Sequence, residues 1–326
     1  IHIRRLTACW SDVALVIPRV ADFANDREID SALRVAKTVG EMLDDLGIGA
    51  DAVEDASLPA GGLSRRGVAI IAYHPRMSDE TVRALVEFVE QGGKVFACYG
   101  LPAPLAEALG FRQGEYYRPE PGTLAEIRFD VSDIQGLPQS ARQASWNITT
   151  VEPVAHGARV IGHWFDRDGN PTNLPAMWIS DRGAYLSHIV VDDDPAAKRQ
   201  MLAAILGHLE PTLWKQIVSA EVARHQRVGR FQSTTELRAS IPRDVEGELA
   251  QHIAKGVATE REAATAIREG RYAAGVNLLR SAHDHFVRAY LMSQVSREVE
   301  GRAWWNHSGT GPYPGDWDRA CRELAD

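Results

Sequence analysis

The sequence predicts an α/β protein: a mostly parallel sheet with helices on both faces, then a helical arm, then a single βα unit. Three observations lead there. Between Val13 and Leu109, short apolar runs alternate with amphipathic stretches of helical period, as expected for strands buried on both faces and joined by helical crossovers. From Gly122 to Val191 the apolar runs are separated by turn signals at hairpin spacing. Beyond Pro211 the composition shifts to Ala, Glu and Arg with few strand formers.

Val13-Ala-Leu-Val-Ile17 reads as the first buried strand. Asp30 to Leu46 places Ala32, Val35, Ala36, Val39, Met42, Leu43 and Leu46 on one helical face, and Gly47 ends that helix. Ala52-Val53 is a weak second strand and Val68 to Tyr73 a strong third. Ser78 is placed to cap the next helix, whose stripe is Val82, Leu85, Val86 and Val89 and whose end is Gly92-Gly93. Lys94 to Tyr99 is the fourth strand, and Leu105 to Leu109 a short helix. Crossovers of this length are right-handed and give parallel pairing.

Arg128 to Val131, Ala158 to Phe165, Ala176 to Ile179 and Ala184 to Val191 are the later strand segments. Asp168-Gly-Asn-Pro171 and Asp181-Arg-Gly183 punctuate them, so hairpins are expected to extend the sheet. A helix from Pro195 to Leu209 closes the domain. Lys215 to Arg230 and Val245 to Val299 carry helical period, with breaks near Ser233 and Ile241-Pro242. The expected organisation is an α/β domain over 1–210, a helical arm over 211–300 and a lone βα unit over 301–326. A lone βα unit cannot bury its own apolar faces, and the chain opens on Ile1 and stops at Asp326 within a helical pattern. Both ends therefore read as cuts, and compartment stays open.

The formal net charge of -8 argues against a general nucleic-acid grip, which needs surplus Lys and Arg. No apolar run reaches bilayer-spanning length, so no membrane partner is expected. Cys9, Cys98 and Cys321 are far apart, odd in number and without a C-x-x-C pair. A structural zinc or a disulfide framework is not expected, and no metal site is assigned. No Gly-rich phosphate fingerprint follows Val13 to Ile17, so no nucleotide or other cofactor is expected.

Rival features read more plainly. Asp166-Arg-Asp-Gly-Asn170 opens like a calcium loop but has Met177 where the bidentate Glu belongs, which favours a hairpin turn. His283 and His285 sit two apart in a helix, on different faces. Arg224 to Arg230 is balanced by following acidic residues and reads as a solvated face. Asp192-Asp-Asp194 suits a helix start. Leu101-Pro-Ala-Pro104 is positioned to border a cleft at the carboxyl edge of the sheet, where open α/β folds bind ligands.

Val95-Phe-Ala-Cys-Tyr-Gly100, followed by Leu105-Ala-Glu-Ala-Leu-Gly110, resembles the nucleophile turn of class I glutamine amidotransferases, G-x-C-x-G between a strand and a helix. The resemblance implies a flavodoxin-like, amidotransferase-like fold and a triad of Cys98, His188 and Asp192. Phe96 replaces the first Gly, and the late His-x-Glu is reduced to His188 with carboxylates at Asp192 to Asp194. The competing reading makes Cys98 a small buried residue at a strand end and His188 a strand histidine facing the edge or a neighbouring loop.

Val68 to Tyr99 is similar to the amidotransferase-like, trimerisation-type domains of β-galactosidases, and Trp304 to Trp317 resembles the first strand and loop of family-10-like glycosyl hydrolase domains. These resemblances imply a non-catalytic scaffold, oligomerisation or shielding domain, possibilities that include a homo-oligomer. They also imply that 301–326 is the first βα unit of a truncated glycosyl-hydrolase-like barrel, and that a carbohydrate substrate is met through the missing barrel. Asn306, His307 and Trp317 would be the substrate-binding residues, on a loop at the carboxyl end of a barrel strand. The catalytic carboxylates of such a barrel would lie outside this chain. The alternative is a cysteine-dependent, amidotransferase-like hydrolase using Cys98.

Overall fold

The computed structural model describes residues 12–19, 27–130, 133–155, 157–242 and 245–301. Asn306, His307 and Trp317, with Cys9 and Cys321, lie outside the described residues. The chain divides into two compact units, one ending at Ile217 and one beginning at Val218.

The first unit is a mixed α/β layer structure. Its large sheet has nine strands in the order β2-β1-β3-β4-β11-β10-β9-β6-β7. Five of them are mutually parallel: β2 (Ala50–Glu54), β1 (Val13–Ile17), β3 (Val68–Ile71), β4 (Lys94–Cys98) and β11 (Gly183–Leu186). The antiparallel continuation is β10 (Pro171–Ile179), β9 (Arg159–Phe165), β6 (Leu124–Phe129) and β7 (Ser140–Ser145). The expected turn signals join β9 to β10 and β10 to β11, while β6 pairs with β9 and β7 without them. Asp166 accepts the backbone N–H of Asp168 at 2.9 Å and of Asn170 at 2.8 Å, so the calcium-like run is a turn. Two strands, β5 (Phe111–Tyr117) and β8 (Ile148–Pro153), form a separate antiparallel ribbon.

Alternation within the parallel strands feeds two cores. Ala14, Val16, Ala69, Ile71, Val95 and Ala97 face one side, where α2 (Asp79–Glu90) and α3 (Ala103–Ala108) add Val82, Leu85, Phe88, Val89 and Leu105. Val13, Leu15, Val68, Ile70, Phe96 and Cys98 alternate onto the opposite side and are also buried. There α1 (Arg27–Leu46) packs on β1 and against α4 (Pro195–Leu209). The two directions of winding from β1 explain why the helices fall on both faces. The chain moves one way to β2 and the other way through β3 to β4, and crossovers of one hand then land on opposite sides. Ser78 caps α2 as its position suggested, its Oγ accepting the Thr81 N–H at 3.2 Å.

The second unit is helical within its described residues. It takes α5 (Leu213–Gln226) from Val218 onward, then α6 (Thr234–Ala239), α7 (Gly247–Arg268) and α8 (Tyr272–Gly301). The helical period from Val245 to Val299 is not one helix: Gly270, at φ 76°, ends α7 in the left-handed conformation and lets the chain reverse. Ser233, read as a break, is the N-cap of α6 and accepts the Glu236 N–H at 3.1 Å. Val228, Leu237, Ile241, Ala282 and Phe286 form the core of this unit. A buried Glu221 holds Arg224 at 2.7 Å and Arg280 at 3.0 Å, and His225 reaches Glu260 at 3.1 Å.

Candidate functional site

Parallel strands end at one edge, and in a sheet wound both ways from β1 the loops there diverge and leave room for a ligand. Three adjacent strands deliver rings to that edge. Tyr73 follows β3, Tyr99 follows β4 and His188 follows β11. A fourth ring comes from the β7–β8 turn, Trp146-Asn147. That turn is tied to the edge by three hydrogen bonds. Thr149 N–H donates to Ser187 O at 2.9 Å, Tyr185 Oη donates to Thr149 O at 2.9 Å, and Gln143 Nε2 donates to Ile189 O at 2.9 Å.

The turn after β4 differs by one residue from what a cysteine nucleophile requires. Cys98 is the last residue of β4, paired with Leu186 of β11, and only 1% exposed. Burial alone pushes its thiol pKa far up, so it stays protonated and weakly nucleophilic. The residue that takes the strained turn is Tyr99, at φ 44°, with Gly100 following at φ 79°. A nucleophile elbow needs its nucleophile at that sharp turn. Here the turn presents a phenol.

The rings form a connected cluster. Tyr73 and Tyr99 have centroids 5.9 Å apart, Tyr99 and His188 6.0 Å, and Trp146 meets His188 edge to face at 4.5 Å. Asn147 Nδ2 bridges two phenols, donating to Tyr99 Oη at 3.3 Å and Tyr116 Oη at 3.2 Å. Trp146 is 51% and Tyr116 57% exposed. His188 is buried, its Nδ1–H donates to Ile189 O at 3.2 Å, and burial lowers its pKa to about 4. It is a neutral imidazole at pH 7. The Tyr99 phenol is shifted upward by partial burial, then by Tyr116 and Glu28.

Asp192 is exposed in the loop before α4. Among the described residues no hydrogen bond joins Cys98, His188 and Asp192. The neighbouring carboxylates are engaged elsewhere. Asp193 accepts the Ala144 N–H at 2.6 Å and the buried Lys198 Nζ at 2.9 Å, and Asp194 caps α4. A second polar pair sits on the same edge: His74 Nε2 meets Asp55 Oδ2 at 3.0 Å, while Asp55 Oδ1 accepts from Ala56 N–H. Both partners are buried, and desolvation outweighs Asp55 in lowering the His74 pKa. The pair fastens the segment after β2 to the one after β3. No group of three or more metal-ligating side chains occurs among the described residues.

Residue reasoning reached His188 and the carboxyl edge but passed over Tyr99, Tyr116, Trp146 and Asn147. Tyr99 adjoins the motif cysteine, and its positive φ of 44° belongs to the folded backbone. Trp146-Asn147 lies in a segment with no apolar alternation to mark its flanking strands, because the inward residues of β7 are Ala141, Gln143 and Ser145.

No protein-family model and no curated protein sequence matches the chain. Solved structures of similar arrangement include a β-galactosidase from Rahnella sp. R3, 19% identical, with TM-score 0.47, covering 62% of this chain and 31% of that one. A ThuA-like protein from Bacteroides uniformis is 15% identical with TM-score 0.46, covering 67% and 96%. A GMP synthase protein from Thermoplasma acidophilum is 11% identical with TM-score 0.41, covering 63% and 96%. The chain thus spans about a third of the β-galactosidase's length.

Proposed function

We propose that the α/β unit is a non-catalytic module of a carbohydrate-active hydrolase, serving as scaffold, oligomer contact or one wall of a sugar site. One observation carries the reading: the carboxyl edge presents exposed aromatic rings, Trp146 and Tyr116, where a cysteine hydrolase needs an activated thiol. Apolar ring faces with polar handles suit the mixed surface of a sugar. A buried, protonated Cys98 cannot attack an amide. The sequence resemblances of Val68 to Tyr99 and of Trp304 to Trp317 point the same way, and the second directs the substrate contacts to Asn306, His307 and Trp317.

Site-resolved thiol labelling tests the non-catalytic part. Cys98 in the folded chain is expected to react no faster than the chain opens, with no plateau near neutral pH. Rapid labelling of Cys98 at pH 7, or glutamine hydrolysis abolished by Cys98→Ala, would move the assignment to a cysteine hydrolase. The hydrolase context is tested by the reading frame beyond Asp326: a barrel-length series of βα units supports it, and its absence removes it.

A further inference from the structure

We infer that the edge cluster of Tyr99, Tyr116, Trp146 and Asn147 is itself a binding site for a neutral pyranose sugar, which gives the proposed carbohydrate module a ligand of its own. The argument starts from hydrogen-bond capacity. Asn147 Nδ2 donates to both phenol oxygens. Among the described residues the two phenol O–H groups then have no acceptor, and Asn147 Oδ1 has no donor. If the amide is turned over, the phenols donate to its oxygen and two N–H donors are left instead. In either orientation, donors and acceptors remain unspent within one small patch. Sugar hydroxyls, which donate and accept at once, match that mixture.

The apolar part of the site has its own support. Trp146 is half exposed, yet its ring is fixed edge to face against His188, which is buried and hydrogen-bonded to the backbone. A ring fixed before binding loses little entropy when a flat ligand face packs on it. His188 is thus a positioning residue for Trp146, not a contact. Tyr73 supports Tyr99 from the other side.

The charge at the site selects the class. The bridging and stacking groups, Trp146, Tyr116, Tyr99 and Asn147, are uncharged side chains. A phosphate or carboxylate ligand would find no cation among these groups. Those features leave a neutral polyhydroxylated ring as the match. A quaternary ammonium is the rival ligand for a cluster of rings. Such a cation needs rings enclosing it, whereas Trp146 and Tyr116 are both more than half exposed.

Calorimetric titration of the full chain with methyl β-glucopyranoside, methyl β-galactopyranoside, methyl α-mannopyranoside and choline is the test. At least one pyranoside is expected to bind with a Kd on the order of millimolar, the affinity of a small, shallow contact. Trp146→Ala is expected to weaken it by roughly tenfold or more, as removal of a central aromatic anchor does. Tyr116→Phe, which keeps the ring and loses only the hydroxyl, should weaken it by about fivefold. Tyr117→Ala is the control, because Tyr117 alternates to the other face of the β5–β8 ribbon. Several results would overturn the site: no pyranoside binding up to tens of millimolar, choline binding in their place, or affinity unchanged in both Trp146→Ala and Tyr116→Phe. Weakening by Tyr117→Ala equal to that of Trp146→Ala would do the same. None of these outcomes touches the inertness of Cys98 or the reading frame, so the module reading stands or falls separately.

Discussion

His188 is a histidine that the fold keeps neutral. It is 1% exposed, packed against Trp146 and Tyr99, and its pKa is lowered to about 4 chiefly by burial. Its ordinary value is 6.5. Between those two values the unfolded chain takes up a proton that the folded chain refuses. Stability from this group is therefore complete above pH 6.5 and declines as the pH falls to about 4, where the loss levels off. The full effect is about 3 kcal/mol. Urea unfolding of the native chain and of His188→Gln at pH 7, 5.5 and 4 isolates it from other titrating groups. The difference in stability between the two proteins should shrink toward acid, and a constant difference across that range would refute the assignment. At this scale the sequence was half legible. It placed Cys98 at a strand end and His188 toward the edge or a neighbouring loop, but it could not show that the strained turn falls on Tyr99, since φ is a property of the folded backbone.

Elements were legible wherever burial is two-sided and the helices are amphipathic. Val13–Ile17 and Pro195–Leu209 have the expected bounds, and α1, α2 and β4 differ by a few residues at their ends. The elements missed include β5, β7, β8 and the short helix α6. In β5, only Phe111 is buried while Arg112, Gln113 and Glu115 to Tyr117 are exposed, so no alternation marks it. Strand β7 buries Gln143 and Ser145, which is inverse to the usual pattern. Strand β11 joins the antiparallel strands to the parallel half through its pairing with β4, and a glycine sets that pairing. A Cβ on Gly183 would fall on the Val95 carbonyl oxygen of β4 and 2.8 Å from Leu109 Cδ2. The obstacle is backbone in a hydrogen-bonded strand pair, so it cannot rotate away. Gly183→Ala is expected to cost about 2–3 kcal/mol, the range for overpacking a dense core, and thermal unfolding measures it. Gly92→Ala is a useful contrast. A Cβ there meets nothing within 4 Å and faces only the backbone strain of φ 97°, so its cost should be about 1 kcal/mol.

The whole molecule consists of two units, each with its own core. In the α/β unit the strands are packed on one face by α2 and α3 and on the other by α1, which also meets α4. In the helical unit it is built around Phe286, which touches the site of a Cβ on Gly256 at 3.0 Å and lies 5.7 Å, centroid to centroid, from His225. From the sequence the change of composition past Pro211 was visible, whereas the reversal at Gly270 was not, because α7 and α8 share one helical period across it. Separate cores predict separable stability. Phe286→Ala removes a fully buried ring and is expected to cost about 3–5 kcal/mol, as such truncations do. If the units unfold independently, that loss falls on the helical unit alone. Far-UV circular dichroism should then show an early transition carrying helical signal, while the near-UV bands of buried Trp164, Trp178 and Tyr185 keep their original midpoint. The acid-dependent contribution of His188 should be unchanged in the same variant, because its burial is set by the first unit. A single transition, shifted equally in both spectral regions, would show that the two cores are one cooperative system.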